Sequence, residues 1–445
     1  MNISSFIIYK LHGKLTYELK IKDNKLILIG ENGSCKTTII KMLFYMLSLQ
    51  WGKLSPYEFE SISLEIDNEK FKLSKKDIKP LLLSNDRIVN LPSMLKRELL
   101  NTPYLDFDRI QMLCRRYGIP FDYVMQNLNG EIDIEIDTKG KKGSMQELIN
   151  KLKKLLDNTH ILYLPTYRRI EQELQVVLEG RGLEEELRSR RVSREKNNSM
   201  FTELVEFGMR DVVEARDRVM NSLKDFFRDS LNSLTLGYLG EVVDKKYSQV
   251  DVSPIINVNE DTIDSIMSRV DEKILSEESK KHLQNTLKKI KNGNKPDEHD
   301  EVVCHYFIKL LNSHQLLEEK EIQIRQFKDV CGKYLQNKTI IYDSSKFTFQ
   351  IISNIDNCEI QPHQLSSGEK QIVSLFSYLY LSDKKKYFVL IDEPELSLSV
   401  KWQKKILVDI INGDFCNGLV AVTHSPFIFD NELDQYARGL GGFVK

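Results

Sequence analysis

Four short segments of this chain carry residue types that bind phosphate, hold a divalent cation or polarise water. The first is Gly30-Glu31-Asn32-Gly33-Ser34-Cys35-Lys36-Thr37-Thr38, which follows the apolar run Leu26-Ile27-Leu28-Ile29 and opens a helical pattern. Strand, glycine turn and helix form the setting in which backbone N–H groups cradle a phosphate. Lys36 is then placed to reach the β- and γ-phosphates of ATP and Thr37 to hold Mg²⁺, with Gly30, Asn32, Gly33, Ser34, Cys35 and Thr38 lining the same turn. Cys35 stands where a glycine is usual before the lysine. A side chain there crowds the phosphate, and a left-handed backbone costs about 1–2 kcal/mol without glycine. Taken alone, the segment also reads as a chance glycine turn.

The second segment, Tyr387-Phe388-Val389-Leu390-Ile391-Asp392-Glu393, is an apolar strand ending in two acids. Such a strand is buried and places Asp392 at the carboxyl edge of a sheet, where it orients Mg²⁺, while Glu393 polarises the attacking water. Many strands end in Asp-Glu, so the pair gains weight only from what surrounds it. The third, Leu365-Ser366-Ser367-Gly368-Glu369, opens a helix and aims the Ser366 hydroxyl and the Gly368 amide at an anion. Its plainer reading is an ordinary cap, with Ser366 and Glu369 forming a capping box. The fourth is a strand, Val420-Ala421-Val422, that runs through Thr423 into His424, and a lone histidine is commonly structural.

The elements that position these segments alternate along the chain. Phe6 to Tyr9 and Tyr17 to Ile21 read as a meander, and Ser61 to Leu73 alternates like a hairpin. Ile39, Ile40, Leu43, Phe44 and Leu47 follow helical spacing after the glycine turn. Ile161-Leu162-Tyr163-Leu164 is a further buried strand, stopped by Pro165. The stretch 170–340 is charged helix in which Val303, Leu310, Leu317, Ile324 and Cys331 recur every seven residues. Its second seam (Tyr306, Ser313, Lys320, Phe327, Tyr334) is mixed, which predicts a short antiparallel hairpin or bundle, with a turn at Gly293–Asp297. The last strand expected lies near Leu419–Val422. The resulting division is 1–169 as the first part of an α/β head, with a small insertion at about 76–158, then 170–340 as a helical, coiled-coil insertion, and 341–445 as the second part of the head.

Bulk properties narrow the class. The 445 residues exceed one compact core, 41% hydrophobic content supports an interior, and 29% charged content suits solvent-bathed helix. With 64 basic and 65 acidic residues the net charge is -1, so no global field drives the chain onto DNA or a membrane. No run approaches the roughly 18 apolar residues of a membrane span, and the amino terminus is not of signal-peptide type. The six cysteines have no paired spacing, as expected of reduced thiols in the cytoplasm rather than a zinc site or a disulfide framework. Arg181, Arg188, Arg190, Arg191 and Arg194, mixed with glutamates, read as a solvated loop or as a patch for nucleic acid or an acidic protein.

In this order the four segments, with Pro394-Glu395-Leu396-Ser397-Leu398-Ser399 after the paired acids, resemble the ABC-type ATPases of the SMC, Rad50, RecF and OLD kind. The resemblance implies an ABC ATPase head split by a helical insertion and homo-oligomers built from ATP-sandwich dimers. Within them, Lys36, Thr37, Asp392, Glu393 and His424 face a nucleotide whose γ-phosphate meets Ser366 and Gly368 of the other subunit. The resemblance also implies a Q-loop glutamine, for which Gln111, Gln126 and Gln172 are the candidates, and an adenine-stacking ring, for which Tyr9 and Tyr17 are; the sequence does not choose among them. The coil lacks the Cys-x-x-Cys of a zinc hook and is short for an SMC rod, and an appended nuclease domain is not expected.

More finely, the combination of Tyr163-Leu164-Pro165-Thr166-Tyr167-Arg168-Arg169, Leu365-Ser366-Ser367-Gly368-Glu369, Glu393-Pro394-Glu395-Leu396-Ser397-Leu398-Ser399 and Thr423-His424-Ser425-Pro426-Phe427-Ile428-Phe429-Asp430 resembles the ATPases of bacterial anti-phage defence systems of the PARIS kind. That implies a scaffold holding a TOPRIM-type nuclease in trans and a trigger that is a phage anti-restriction protein mimicking DNA, with tRNA cleavage as the output. The alternatives are a Septu- or retron-type ATPase paired with an HNH nuclease, a RecF-like repair ATPase that binds DNA, and a nucleotide-locked scaffold of low turnover.

Overall fold

The computed structural model describes residues 1–31, 33–78, 113, 142–156, 158–165, 201–203, 209–270, 272, 274–382 and 386–444. Its strands are β1 (Ile3–Leu11), β2 (Leu15–Lys20), β3 (Lys25–Ile29), β4 (Ser61–Ile66), β5 (Glu69–Ser74), β6 (His160–Leu164), β7 (Phe201–Glu203), β8 (Lys338–Asp343), β9 (Thr348–Ser353), β10 (Tyr387–Asp392), β11 (Cys416–Thr423) and β12 (Ala437–Gly439). Its helices are α1 (Lys36–Leu47), α2 (Lys142–Leu156), α3 (Met209–Val243), α4 (Ser253–Asn257), α5 (Glu260–Arg269), α6 (Glu277–Lys291), α7 (Glu298–Gly332), α8 (Ser367–Leu381) and α9 (Val400–Ile411). They form two compact units, one of Met1–Glu206 with Lys384–Lys445 and one of Phe207–Asp383.

The first unit holds a six-stranded parallel sheet of order β12-β3-β11-β10-β6-β7 and a four-stranded antiparallel sheet of order β2-β1-β4-β5. β6 and β10 are buried at every position, as apolar strands covered on both faces must be. Ile39, Ile40, Leu43, Phe44 and Leu47 of α1 join Leu26, Leu28, Leu390, Val420 and Val422 of the parallel sheet and Phe6, Ile8, Ile62 and Leu64 of the antiparallel one in a single core. Gly418 is required by close approach, because a Cβ there would meet the Phe388 ring at 2.5 Å. β12 was not expected from sequence. It extends the sheet beyond β3 through Ala437, Arg438 and Gly439, a stretch too short and too polar to announce a strand.

The second unit is built on α3 and α7, each 35 residues and so roughly 50 Å long. Tyr238 donates to the Val302 carbonyl, Lys309 pairs with Glu241, and the Lys320 ammonium lies over the Phe226 ring, so the two helices run antiparallel. Asp297 caps α7 through a capping box with Asp300, directly after the turn expected at Gly293–Asp297. The first seam is buried at Leu310, Leu317, Ile324 and Cys331. The second follows the expected one at Phe327 and Tyr334, which are buried, but not at Lys320, which is exposed; Phe307, His314 and Glu321, also seven apart, are buried instead. Its polar members meet Arg269 of α5, which lies 3.0 Å from Glu321 and 3.3 Å from His314. β8 and β9 form an antiparallel hairpin, and α8 packs on both α3 and α7. No helix among the described residues is long and apolar enough to cross a membrane.

Candidate functional site

The carboxyl ends of three neighbouring parallel strands set the site. β11 lies between β3 and β10, with Thr423 in register with Ile29 and Val422 with Asp392. The glycine turn after β3 and the acids at the end of β10 are therefore two strands apart, roughly 10 Å, with His424 issuing between them. In open parallel sheets this edge is where ligands bind.

The turn after Ile29 is built from unusual backbone. Gly33 and Cys35 have φ of 81° and 64°, so two residues of the loop are left-handed, only one of them glycine. A Cβ on Gly30 would lie 2.8 Å from the Ser34 hydroxyl, so this glycine allows the loop to close on itself. Lys36, 5% exposed, is the first residue of α1 and folds its ammonium back over the loop. It donates to the carbonyls of Gly30 and Glu31, both at 2.7 Å, and to the Ser34 hydroxyl at 3.3 Å. Burial holds this ammonium below the ordinary lysine value, against the pull of Glu393, Asp392 and Glu395. Thr38 follows on α1, and Asn32 lies outside the described residues.

Thr37 donates its hydroxyl to Asp392 Oδ1 at 3.3 Å, bringing together the two residues expected to hold a cation. Asp392 is 3% exposed and ends β10. No group of three or more His, Cys, Asp or Glu able to hold a metal exists among the described residues. A hydroxyl beside a single carboxylate suits Mg²⁺, which keeps most of its coordination for water and substrate phosphates. Glu393 adopts φ 52°, a left-handed conformation that costs a side-chain-bearing residue energy and is concentrated at functional sites. Its carboxyl is pushed above the usual range, first by burial and then by Asp392 and Glu395. That shift makes it a better proton acceptor than an exposed glutamate. His424 Nε2 stands 3.6 Å from Glu393 Oε1.

Two residues that sequence reasoning did not single out complete this face. Glu395 Oε1 accepts from the backbone amides of His424 at 2.7 Å and Ser425 at 3.2 Å. Gln403 of α9 donates to the Leu398 carbonyl at 2.9 Å and accepts from the Ser425 hydroxyl at 2.6 Å. Their partners on the neighbouring loop, His424 and Ser425, lie 22 to 30 residues away in sequence, where spacing carries no signal.

Ser366 and Gly368 belong to the second compact unit and form their own motif. Ser366 caps α8: it donates its hydroxyl to Glu369 Oε2 at 2.8 Å and accepts from the Glu369 amide at 3.4 Å. The capping box is therefore present, leaving Ser366 exposed and Gly368 buried in the first turn. Lys338 of β8 pairs with Glu369 at 2.7 Å. With its other bonds, this keeps the buried Glu369 carboxylate below its usual range despite the opposing effect of burial.

Tyr17 is not available to stack on a base. It is 4% exposed and lies in the core. Tyr9 is half-buried with the Lys72 ammonium 5.5 Å above its ring. Gln111, Gln126, Gln172, the Thr166–Arg169 segment and the five arginines from Arg181 to Arg194 lie outside the described residues.

Comparison with known proteins finds one family model that matches part of the chain and solved structures that are distantly similar to it. Residues 258–430 match the family model described as "AAA domain, putative AbiEii toxin, Type IV TA system". No curated protein matches. Among solved structures, the Smc head domain with an extended coiled coil bound to the C-terminal domain of ScpA, from Pyrococcus furiosus, is 10% identical. That alignment covers 96% of this chain and 90% of the other at a TM-score of 0.35. An SmcHead bound to the C-winged helix domain of ScpA is also 10% identical, covering 99% and 94% at a TM-score of 0.37. The AAA match across 258–430, alongside the glycine turn and the Thr37–Asp392 pair, supports an ATPase-like P-loop domain.

Proposed function

We propose that the chain binds and hydrolyses ATP with Mg²⁺ and dimerises around the nucleotide, each copy offering its Ser366 and Gly368 to the γ-phosphate held by its twin. The observation that carries this reading is the convergence of Lys36, the Thr37–Asp392 pair and the Glu393–His424 pair on one sheet edge. The loop amides and Lys36 would bind the phosphates by exchanging the carbonyl partners of the ammonium for phosphate oxygens. Mg²⁺, held by Thr37 and Asp392, supplies charge neutralisation on the phosphates. Glu393 would take the proton of the attacking water, with His424 beside it at the γ-phosphate. Glu393→Gln keeps the shape and removes the base, so it should bind ATP, lose turnover and accumulate as an ATP-dependent dimer in sedimentation. ATP bound by a protein that stays monomeric would refute the sandwich.

At the finer level the reading is a sensor and scaffold resembling AriA, the ATPase subunit of the PARIS defence system. In it, the nucleotide-bound assembly sequesters a TOPRIM nuclease of the AriB kind and releases it on meeting an acidic DNA mimic of the Ocr kind. Support comes from the residues flanking the motifs and from the long helical unit available for partner contacts. Co-expression with a TOPRIM nuclease and with an HNH nuclease tests it. Copurification of the HNH protein, or ATP-dependent DNA binding with neither nuclease retained, would replace it.

A further inference from the structure

We propose that Glu395 is a positioning residue for the hydrolytic step, pinning the loop that carries His424 so that the imidazole stays beside Glu393. The proposal rests on the ATP-hydrolysis reading above. After β10 the chain turns sharply at Glu393, whose amide still bonds the Val422 carbonyl at 2.8 Å. Two residues later the Glu395 side chain reaches back to the adjacent strand. Oε1 takes both amides that follow β11, those of His424 at 2.7 Å and Ser425 at 3.2 Å. Charge-assisted bonds to two successive amides fix both the position and the direction of the departing chain. Gln403 adds a second fastening through Ser425 Oγ, and it also donates to the Glu395 and Leu398 carbonyls at 3.4 and 2.9 Å. The loop after β10, the loop after β11 and the start of α9 are thereby held as one piece.

A loop staple with no other role has a cheaper solution than a carboxylate here. Glu395 Oε2 is buried with no hydrogen-bond partner among the described residues, and the side chain shares its surroundings with Asp392 and Glu393. What the glutamate provides is reach: its acceptor spans from one loop to the neighbouring one and leaves the His424 side chain free to lie 3.6 Å from Glu393. Reach and charge are separable. Glu395→Asp keeps the charge but withdraws the acceptor by about 1.5 Å, whereas Glu395→Gln keeps the acceptor and removes the charge.

The test is steady-state ATP hydrolysis by the full chain, with fluorescent-ATP binding and thermal unfolding measured on the same preparations. E395D should lose about 100-fold in kcat with KM for ATP within about threefold, the mark of displaced groups rather than lost binding. E395Q should recover turnover to within about fivefold of the parent, because its oxygen still accepts from both amides. Parental turnover by E395D, an E395Q as impaired as E395D, or a KM that rises in step with the loss would each overturn the positioning role. Should E395D fail to fold, Gln403→Leu releases the same loop from its other side. It is expected to lower kcat at constant KM, and an unchanged kcat there overturns the proposal. A parent protein whose nucleotide turnover survives Lys36→Ala would sink the ATPase reading itself, a distinct result.

Discussion

Cys35 is where sequence and structure make the sharpest joint prediction. The sequence raised two concerns, a thiol crowding the phosphate and a left-handed backbone without glycine. The structure separates them. The conformation is left-handed, φ 64° and ψ 14°, but the side chain packs against the core. Substituting Cys35→Gly relieves about 1–2 kcal/mol of backbone strain. It also returns about 0.4–1 kcal/mol of freedom to the unfolded chain and gives up about 0.8 kcal/mol for one half-buried group. These terms nearly cancel, so stability should change by less than about 1 kcal/mol, or about 2–4 °C in Tm. Because the loop already has the backbone a glycine would choose, ATP affinity should move by less than about threefold, under about 0.7 kcal/mol. Cys35→Val adds a branched side chain to a left-handed site and should destabilise by at least about 1–2 kcal/mol. Thermal unfolding and fluorescent-ATP titration of the two variants form the assay. A tenfold gain in affinity for C35G would show that the thiol does obstruct the phosphate. A C35V as stable as the parent would show that the left-handed backbone imposes no constraint.

Three further outcomes are expected. Lys36→Ala should abolish measurable nucleotide binding while leaving the fold intact, and retained affinity would remove the lysine from the phosphate site. Glu321→Ala leaves Arg269 buried without its counter-charge, the two side chains being 0% and 1% exposed. It should lower denaturant stability by about 3–5 kcal/mol, and a loss under 1 kcal/mol would mean that water reaches the seam. His314 faces Arg269, Glu318, Glu321 and Arg325, and burial, then Arg269, holds its pKa below the ordinary value. The unfolded chain therefore binds the extra proton, so this contribution is present above about pH 6.5 and is lost as pH falls through the window below it. His314→Gln should flatten stability across that range, and an unaltered pH profile would rule the histidine out.

What the sequence made legible follows from how each element is stabilised. β6, β10 and β11 are apolar runs because both faces of a parallel sheet are covered, and their segments could be read directly. The helix cap at Ser366 and Glu369 was readable because both partners lie within one turn. The second seam of α7 was not, since His314 and Glu321 look like surface residues until Arg269, some 50 positions away, is brought against them. β12 has no apolar pattern at all and exists because β3 offers an open edge. Lys338, Glu395 and Gln403 share this property: each bonds a partner that only the fold supplies.

Three of the left-handed, side-chain-bearing positions fall at the proposed chemistry. Cys35, Glu393 and Ser397 carry side chains at φ of 64°, 52° and 63°. One lies in the phosphate loop, one ends the strand of paired acids, and one is in the turn that follows. Strain of this sort persists only where surrounding structure over-determines it. Here that structure is identifiable: the packing of Cys35 against the core, the Glu393 amide held by Val422, and the Leu398 carbonyl held by Gln403. Elsewhere the conformation occurs at Asp23-Asn24 and Asp67-Asn68, turn residue types that tolerate it at little cost, but also at Lys10, Leu49, Lys245 and Phe347, none of them a site residue. A cysteine and a glutamate do not share that tolerance. Left-handed backbone alone does not mark the site. At Cys35 and Glu393 it coincides, on one sheet edge, with a lysine folded over carbonyls and a histidine tied by a carboxylate, and that combination favours a site shaped to receive a ligand over a turn that merely connects strands.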